Sequence, residues 1–286
     1  MTAVLLALLA AVGYGVSDFV GGIASRRVAA LRVVIVSYPI SLLMVLAVAP
    51  LVAGELTTEA MLWGAASGVA GGLAVWWFYL ALADGPMSVV SPLTAVLVAG
   101  VPVAVGFVLG ERPGPLALAG VVLALVAVVM VSRETAETAG EAVDGHRVSF
   151  TPRIAWLTVG SGLAFAVAFV CLHEIGDGGG LWPLAASRAS ATVVVWAVAL
   201  ASAQFVAPPR GVIRLALLIA FLDVVANAAM MYAFSGGLLS LVSVIGSLYP
   251  AATVLLAMTM LGERVGRLQQ LGMVLAVAAV AMIAVA

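Results

Sequence analysis

The chain has 286 residues, a formal net charge of −1, and 65% apolar against 9% charged residues. That is too little polar surface to coat a water-soluble globule of this size, so lipid must be the solvent for most of it. The single cysteine excludes an internal disulfide, and no Cys/His cluster has metal-ligand spacing, so no metal, cofactor or nucleic-acid partner is expected.

A helix needs about 20 apolar residues to cross a hydrocarbon core about 30 Å thick. Ten runs of that kind lie near 3–24, 31–53, 60–83, 87–109, 114–132, 153–173, 183–206, 212–234, 238–261 and 266–286. None has the period-two alternation of a barrel strand, so the expected fold is all-α with ten transmembrane helices. The first run lacks a basic segment before it and continues through Asp18 to Arg26-Arg27, which reads as an uncleaved helix. A carboxylate two turns inside that end is too deep to reach the interface. It either faces a central cavity, where it binds an amine, a cation or a proton, or forms a structural ion pair with Arg32 or Arg188. Arg32 opens the second run and is given an architectural role.

The third run carries Gly64, Gly68 and Gly72, a smooth strip for close helix approach, and then Trp76, Trp77 and Tyr79. Trp76 and Tyr79 are candidates for an aromatic wall of a substrate pocket, against the default of interface anchoring. The fourth has Ser88, Ser91 and Thr94 on one face and ends at Gly110-Glu111-Arg112. A polar connector, 133–152, follows the fifth. The sixth ends at His173-Glu174, where His173 is a proton-relay candidate or a surface group. Arg188 lies a little over one turn inside the seventh, within snorkelling reach; an architectural role is preferred to clamping a substrate carboxylate.

Asp223 sits near the middle of the eighth run with Asn227 one turn later on the same face. An acid and an amide in that register offer acceptor and donor groups to one ligand, and a desolvated acid there can exchange a proton. The competing reading is packing glue. The ninth repeats the serine pattern as Ser240, Ser243 and Ser247, followed by Tyr249-Pro250, and ends at Gly262-Glu263-Arg264. Facing serine stripes would line a pocket; ordinary small-residue packing is the alternative.

Gly110-Glu111-Arg112 and Gly262-Glu263-Arg264 are 152 residues apart, and Gly85, Ser88, Ser91, Gly114, Gly120 and Met130 recur at that offset as Gly237, Ser240, Ser243, Gly266, Gly272 and Met282. The chain is therefore a duplication, 1–132 and 153–286 about the connector. Five helices per half is odd, so the second copy enters the membrane inverted, a plan of secondary transporters that bind substrate near the midplane between halves. Two halves in one chain suffice for a site, so the unit is a monomer or a homodimer.

Ten of the twelve arginines fall on the side of the odd-numbered loops and two, Arg112 and Arg188, on the other, which by the positive-inside rule puts both termini outside. With Gly13-Tyr14-Gly15-Val16-Ser17-Asp18-Phe19 in the first helix, the Gly-Glu-Arg ends and the early Arg32 and Arg188, the chain resembles the EamA family of the drug/metabolite transporter superfamily. The resemblance covers nearly the whole length. It implies a multi-pass carrier of the bacterial inner membrane, an exporter of amino acids or related metabolites by alternating access, with termini inside, and it assigns structural roles to Gly110, Glu111, Gly262 and Glu263. The acid at position 18 departs from the small or amide residue usual there. On this reading the substrate contacts are Asp18, Trp76, Tyr79, Ser91, Asp223, Asn227, Ser243, Ser247 and Tyr249, and protons move through Asp223, Asp18 or His173. The partners are a small-molecule substrate, the bilayer and, where transport is coupled, protons. No Walker loop is present, and the motifs of intramembrane proteases and lipid transferases are missing, so an enzyme is not expected. A passive channel or lipid scramblase is the alternative that the repeat permits.

Overall fold

The computed structural model describes residues 1–25, 28–84, 87–139, 151–261 and 266–286. Eleven α-helices and one 3-10 turn, Ala49–Leu51, make up the regular structure of those residues. In order they are α1 Thr2–Ser25, α2 Ala30–Val48, α3 Thr58–Asp84, α4 Met87–Val108, α5 Pro115–Ala139, α6 Pro152–His173, α7 Trp182–Ala201, α8 Arg210–Ser235, α9 Leu239–Gly246, α10 Tyr249–Leu261 and α11 Arg267–Val285. Among the described residues eight segments are long and apolar enough to cross a membrane, and Leu93–Val108 and Pro115–Val131 are shorter apolar helices. Helices suit lipid because every backbone donor finds its acceptor within the same segment.

The ninth apolar run is not one helix. It breaks between Gly246 and Tyr249, where Ser247 and Leu248 turn the chain; Pro250 lacks an N–H and cannot continue the bonding of α9 into α10. The fourth run carries Pro92 and Pro102 yet stays continuous as α4.

Packing runs mainly between the halves, and the contacts exchange when each helix of one half is replaced by its mate in the other. α1 lies along α8 as α3 lies along α6, and α4 lies on α6 as α9 and α10 lie on α1. α5 packs on its own mate α11, and α2 on its mate α7. The glycines show the sense of the pairing. Gly120, early in α5, abuts Met282 and Ile283 at the end of α11, while Gly272, early in α11, abuts Met130 and Val131 towards the end of α5. Both sets of partners are 152 positions apart, and the mates run antiparallel. The Gly64, Gly68 and Gly72 strip lies against Pro183, Ser187 and Val194, letting α3 and α7 approach closely. Serines bind the bundle across helices, Ser67 Oγ to the Ala168 carbonyl (3.0 Å) and Ser161 Oγ to that of Ala74 (2.9 Å).

The core is unevenly placed. One face of the bundle bears the N-terminus and the joins at 52–57, 109–114, 174–181 and 236–238; this is the first face. The largest apolar cluster is dense next to it, drawing on Ala7 and Ala10, Val45 and Ala49, Leu181 and Leu184, Met230 and Phe234, and Leu239, Val242, Val244 and Ile245. Through α4, α5 and α11 it reaches past mid-bundle at Ala95, Val128 and Ala276. Towards the opposite, second face the buried residues fall into small separate clusters, one around Val34, Ile35 and Val195 and one around Val33, Val212 and Ala216. The first face is also tied together directly. Glu55 N–H donates to the Gly178 carbonyl (2.8 Å), and Gly54 lies against Gly179 and Gly180, an approach that leaves no room for a Cβ. The join at 202–209, on the second face, is exposed except for Pro208.

Candidate functional site

Between the apolar plug and the second face, several polar side chains converge near the midpoints of their helices. Asp223 and Arg188 form an ion pair, Oδ2 to Nη1 at 2.6 Å, with side chains 19% and 9% exposed. The other oxygen of Asp223 accepts from Asn227 Nδ2 (3.0 Å), and that amide also donates to the Asp223 carbonyl (2.8 Å). One helical turn separates Asp223 from Asn227, which places the amide beside the second oxygen of the acid. The Arg188 guanidinium stands over the Tyr38 ring, its carbon 5.7 Å from the centroid, and its Nε is buried without a partner. Each charge is thus compensated. For a fully buried pair, removing one partner costs about 3–5 kcal/mol, because the other is left unpaired out of water.

Around this pair stand Tyr14 and Asp18 from α1, Tyr38 from α2 and Tyr249 at the head of α10. Asp18 is within electrostatic range of Asp223, Tyr14, Tyr38 and Tyr249, and Tyr14 within range of Asp223 and Arg188. Asp18 is exposed although these groups surround it, so it faces open space inside the bundle. Among the described residues neither Asp18 nor the phenols of Tyr14, Tyr38 and Tyr249 has a hydrogen-bond partner, and none of these oxygens is a buried orphan. They border an accessible cleft.

Local sequence explains how α1 brings Tyr14 there. Gly13 abuts Ala226 of α8, and Gly15 abuts Ala252 and the Tyr249 carbonyl of α10, so glycine on either side of Tyr14 lets α1 wedge between the two helices. Thr253 Oγ1 donates to the Gly15 carbonyl (3.0 Å) and fixes the register.

The geometry is that of a cluster of partly exposed polar side chains at mid-bundle, between two halves whose mated helices α5 and α11 run antiparallel. Family comparison gives the same architecture: the model of the EamA-like transporter family matches residues 1–133 and again 152–285. The chain belongs to the EamA-like transporter family. No curated protein matches it significantly. Among solved structures 26 chains match; one, described only as the crystal structure of a protein, has a TM-score of 0.75 at 17% identity over 98% of this chain and 95% of the other, and so supports the fold.

In this EamA-like chain, Asp18, Asp223, Asn227 and Tyr249 come together as the sequence suggests. The structure corrects the partnerships. Arg188 pairs with Asp223, not with Asp18, and it sits in the cleft rather than snorkelling to an interface. Arg32 stays apart in the first turn of α2, its Nε buried without a partner. Trp76 packs with Tyr38 against Leu31, Val34, Ile35 and Val195, behind the cleft. Ser243 and Ser247 are fully buried; Ser247 Oγ donates to the Val244 carbonyl (2.8 Å), and Ser243 Oγ is buried without a partner. These hydroxyls lie in helix packing, away from the open space. His173 stacks edge-on against Phe234, ring centroids 5.8 Å apart. Phe234 is eleven residues beyond Asp223 on α8, about 16 Å at ~1.5 Å per residue, so His173 belongs to the first face. The side chains of Tyr79 and Ser91, and residues Gly262 and Glu263, lie outside the described residues.

Glu111 has a defined place. Gly110, at φ +95°, turns the chain after α4, and the Glu111 carboxylate accepts from the N–H groups of Leu239 (2.5 Å) and Ser240 (3.1 Å). It caps the first turn of α9, where unbonded donors and the helix dipole favour an anion. The end of the first half's fourth helix is thereby tied to the start of the second half's ninth run, at the closed face.

Sequence reasoning named Tyr14 only as part of a motif and passed over Tyr38. The available signal was position: both are polar-tipped aromatics near the centres of apolar runs, where interface anchoring does not apply.

Proposed function

We propose that this chain is a secondary carrier of the bacterial inner membrane that exports a small metabolite, an amino acid or a related compound, by alternating access. In this reading ten spanning helices form two inverted five-helix repeats, 1–132 and 153–286, with the connector 133–152 between them. The substrate sits in the cleft bordered by Tyr14, Asp18, Tyr38, Arg188, Asp223, Asn227 and Tyr249. All seven come from one chain, so a monomer encloses the site.

The observation that carries the proposal is a group of unpartnered, accessible polar side chains at mid-bundle, next to a first face filled by apolar core. A carrier needs such an arrangement: a site reachable from one side only, between repeats able to rock about it. A channel needs a path through both faces, and the apolar cluster that includes Leu181, Leu184, Phe234 and Leu239 favours the carrier over it. Where a proton is exchanged, Asp18 or Asp223 is the group that takes it, since His173 is too far from the cleft.

Uptake and counterflow in proteoliposomes, over a mixed panel of amino acids and metabolites with and without a pH gradient, test the reading. Saturable flux with trans-stimulation is expected. Flux that rises linearly with concentration and shows no counterflow would replace the carrier by a channel.

A further inference from the structure

The charges in the cleft do not cancel. Both oxygens of Asp223 are engaged, one by Arg188 and one by Asn227, and Arg188 balances its charge. Asp18 has no ion pair or hydrogen bond among the described residues, yet it is exposed to the cleft. Of the described charges that act on Asp18, Tyr14, Tyr38, Tyr249 and Asp223, Arg188 is the one cation. Among the described residues the cleft therefore holds one uncompensated negative charge when Asp18 is ionised.

Resting on the reading of this cleft as the transport site, we propose that it selects organic monocations bearing an ammonium group, and discriminates against the corresponding zwitterions. An ammonium presents only donors. The Asp18 carboxylate and the phenol oxygens of Tyr14 and Tyr249, all without protein partners, supply the acceptors it requires. Among the described residues a carboxylate on the same ligand meets no cation whose charge is unbalanced. Arg188 keeps unused N–H donors, but Asp223 already matches its charge, so a second carboxylate there adds a net negative charge to the interior. Its alternative is to lie near two acids of like charge. Amines that lack the carboxylate avoid both penalties, so the substrate class shifts from amino acids towards their decarboxylated counterparts.

The test is calorimetric titration of the purified full chain in detergent with two matched series: phenethylamine, phenylalanine and 3-phenylpropionate, and butylamine, norvaline and pentanoate. Each solute is also assayed for counterflow in proteoliposomes. The amine of at least one series is expected to bind about tenfold or more tightly than its zwitterion, and Asp18→Asn to weaken it by about tenfold or more, the scale of one charge-assisted hydrogen bond. Asp18→Glu, which keeps the charge, should retain amine binding and guards against misreading a folding defect. Zwitterions that bind as tightly as the amines, or amine binding unchanged in Asp18→Asn, would overturn the proposal while leaving the carrier intact. If no solute of either series binds, the proposal fails; if none of the wider panel shows counterflow, the carrier reading fails with it.

Discussion

Replacing Arg188 with methionine isolates the Arg188–Asp223 pair, because methionine keeps most of the side-chain length and removes the charge. The 2.6 Å contact would be lost, and Asp223 would keep only the amide of Asn227. For a fully buried ion the penalty is about 3–5 kcal/mol; with 19% of the Asp223 side chain exposed, water recovers part of it, and about 2–4 kcal/mol is expected. Asp223→Leu alone strands the guanidinium and should cost a similar amount. The double variant Arg188→Met/Asp223→Leu removes both charges, so it should be no less stable than either single variant, with a coupling energy of about 1.5 kcal/mol or more. Unfolding in mixed micelles by added dodecyl sulfate, followed by circular dichroism, measures all four corners of the cycle. If the two single effects add to within about 0.5 kcal/mol, the pair is not an energetic unit and the charge balance assigned to the cleft is wrong.

Two further outcomes follow from closure of the first face and from the fit of α1. Glu111→Ala removes the two carboxylate bonds to α9, and Gly54→Ala forces the joins at 52–57 and 174–181 apart. Each should favour opening of the first face, seen as faster thiol labelling of an Ala60→Cys probe, which is 5% exposed when that face is closed; Cys171 is replaced by alanine in the background. Unchanged labelling in both variants would remove the gating role of those contacts. Gly15→Val places a Cβ 2.6 Å from both the Ala252 Cβ and the Tyr249 carbonyl oxygen, so α10 must shift from α1. A loss of about 1–3 kcal/mol in the same unfolding assay, with loss of transport, is expected, and wild-type stability would contradict the wedge.

The fold was legible because lipid imposes a severe rule: helices must be long and apolar, and the 152-residue repeat survives in Gly120, Gly272, Met130 and Met282, which meet across the pseudo-symmetry. Asp18 and Asp223 stood out for the same reason, since an acid in an apolar run is costly and conspicuous. Partnerships were not legible. Arg188 and Asp223 are 35 residues apart and meet through helix packing that no local pattern encodes, and the distance from Arg188 to an interface gave a misleading reason to place it there. The serines misled in the other direction. A polar stripe reads as a pocket wall, yet Ser240 and Ser243 are fully buried against neighbouring helices, where small residues allow close packing. Of the three prolines in the fourth and ninth runs, Pro250 follows the break at Ser247-Leu248, whereas Pro92 and Pro102 leave α4 continuous, and nothing in the apolar runs around them distinguishes the two cases.

The two halves share a plan but not a conformation, and the difference bears on mechanism. α4 packs closely along α5, whereas its counterparts α9 and α10 together meet α11 only sparsely. The joined ends of α4 and α5 lie at the first face, and the end of α10 and start of α11 at the second. In an inverted repeat, a carrier changes the side of access when the halves exchange conformations. The closed geometry of α4 and α5 would then pass to α10 and α11, and the loose geometry to α4 and α5. Spin labels at Val108 and Leu116 report on the first face, and labels at the equivalent Met260 and Leu268 on the second; all four side chains are exposed. In the state described here the 108–116 separation should be the shorter. When a transported substrate or a trapping ligand populates the other state, the 108–116 separation should lengthen as the 260–268 separation shortens. Distances that move in the same direction, or a shift confined to one pair, would show that asymmetry between the halves is static and would remove the rocking motion from the mechanism.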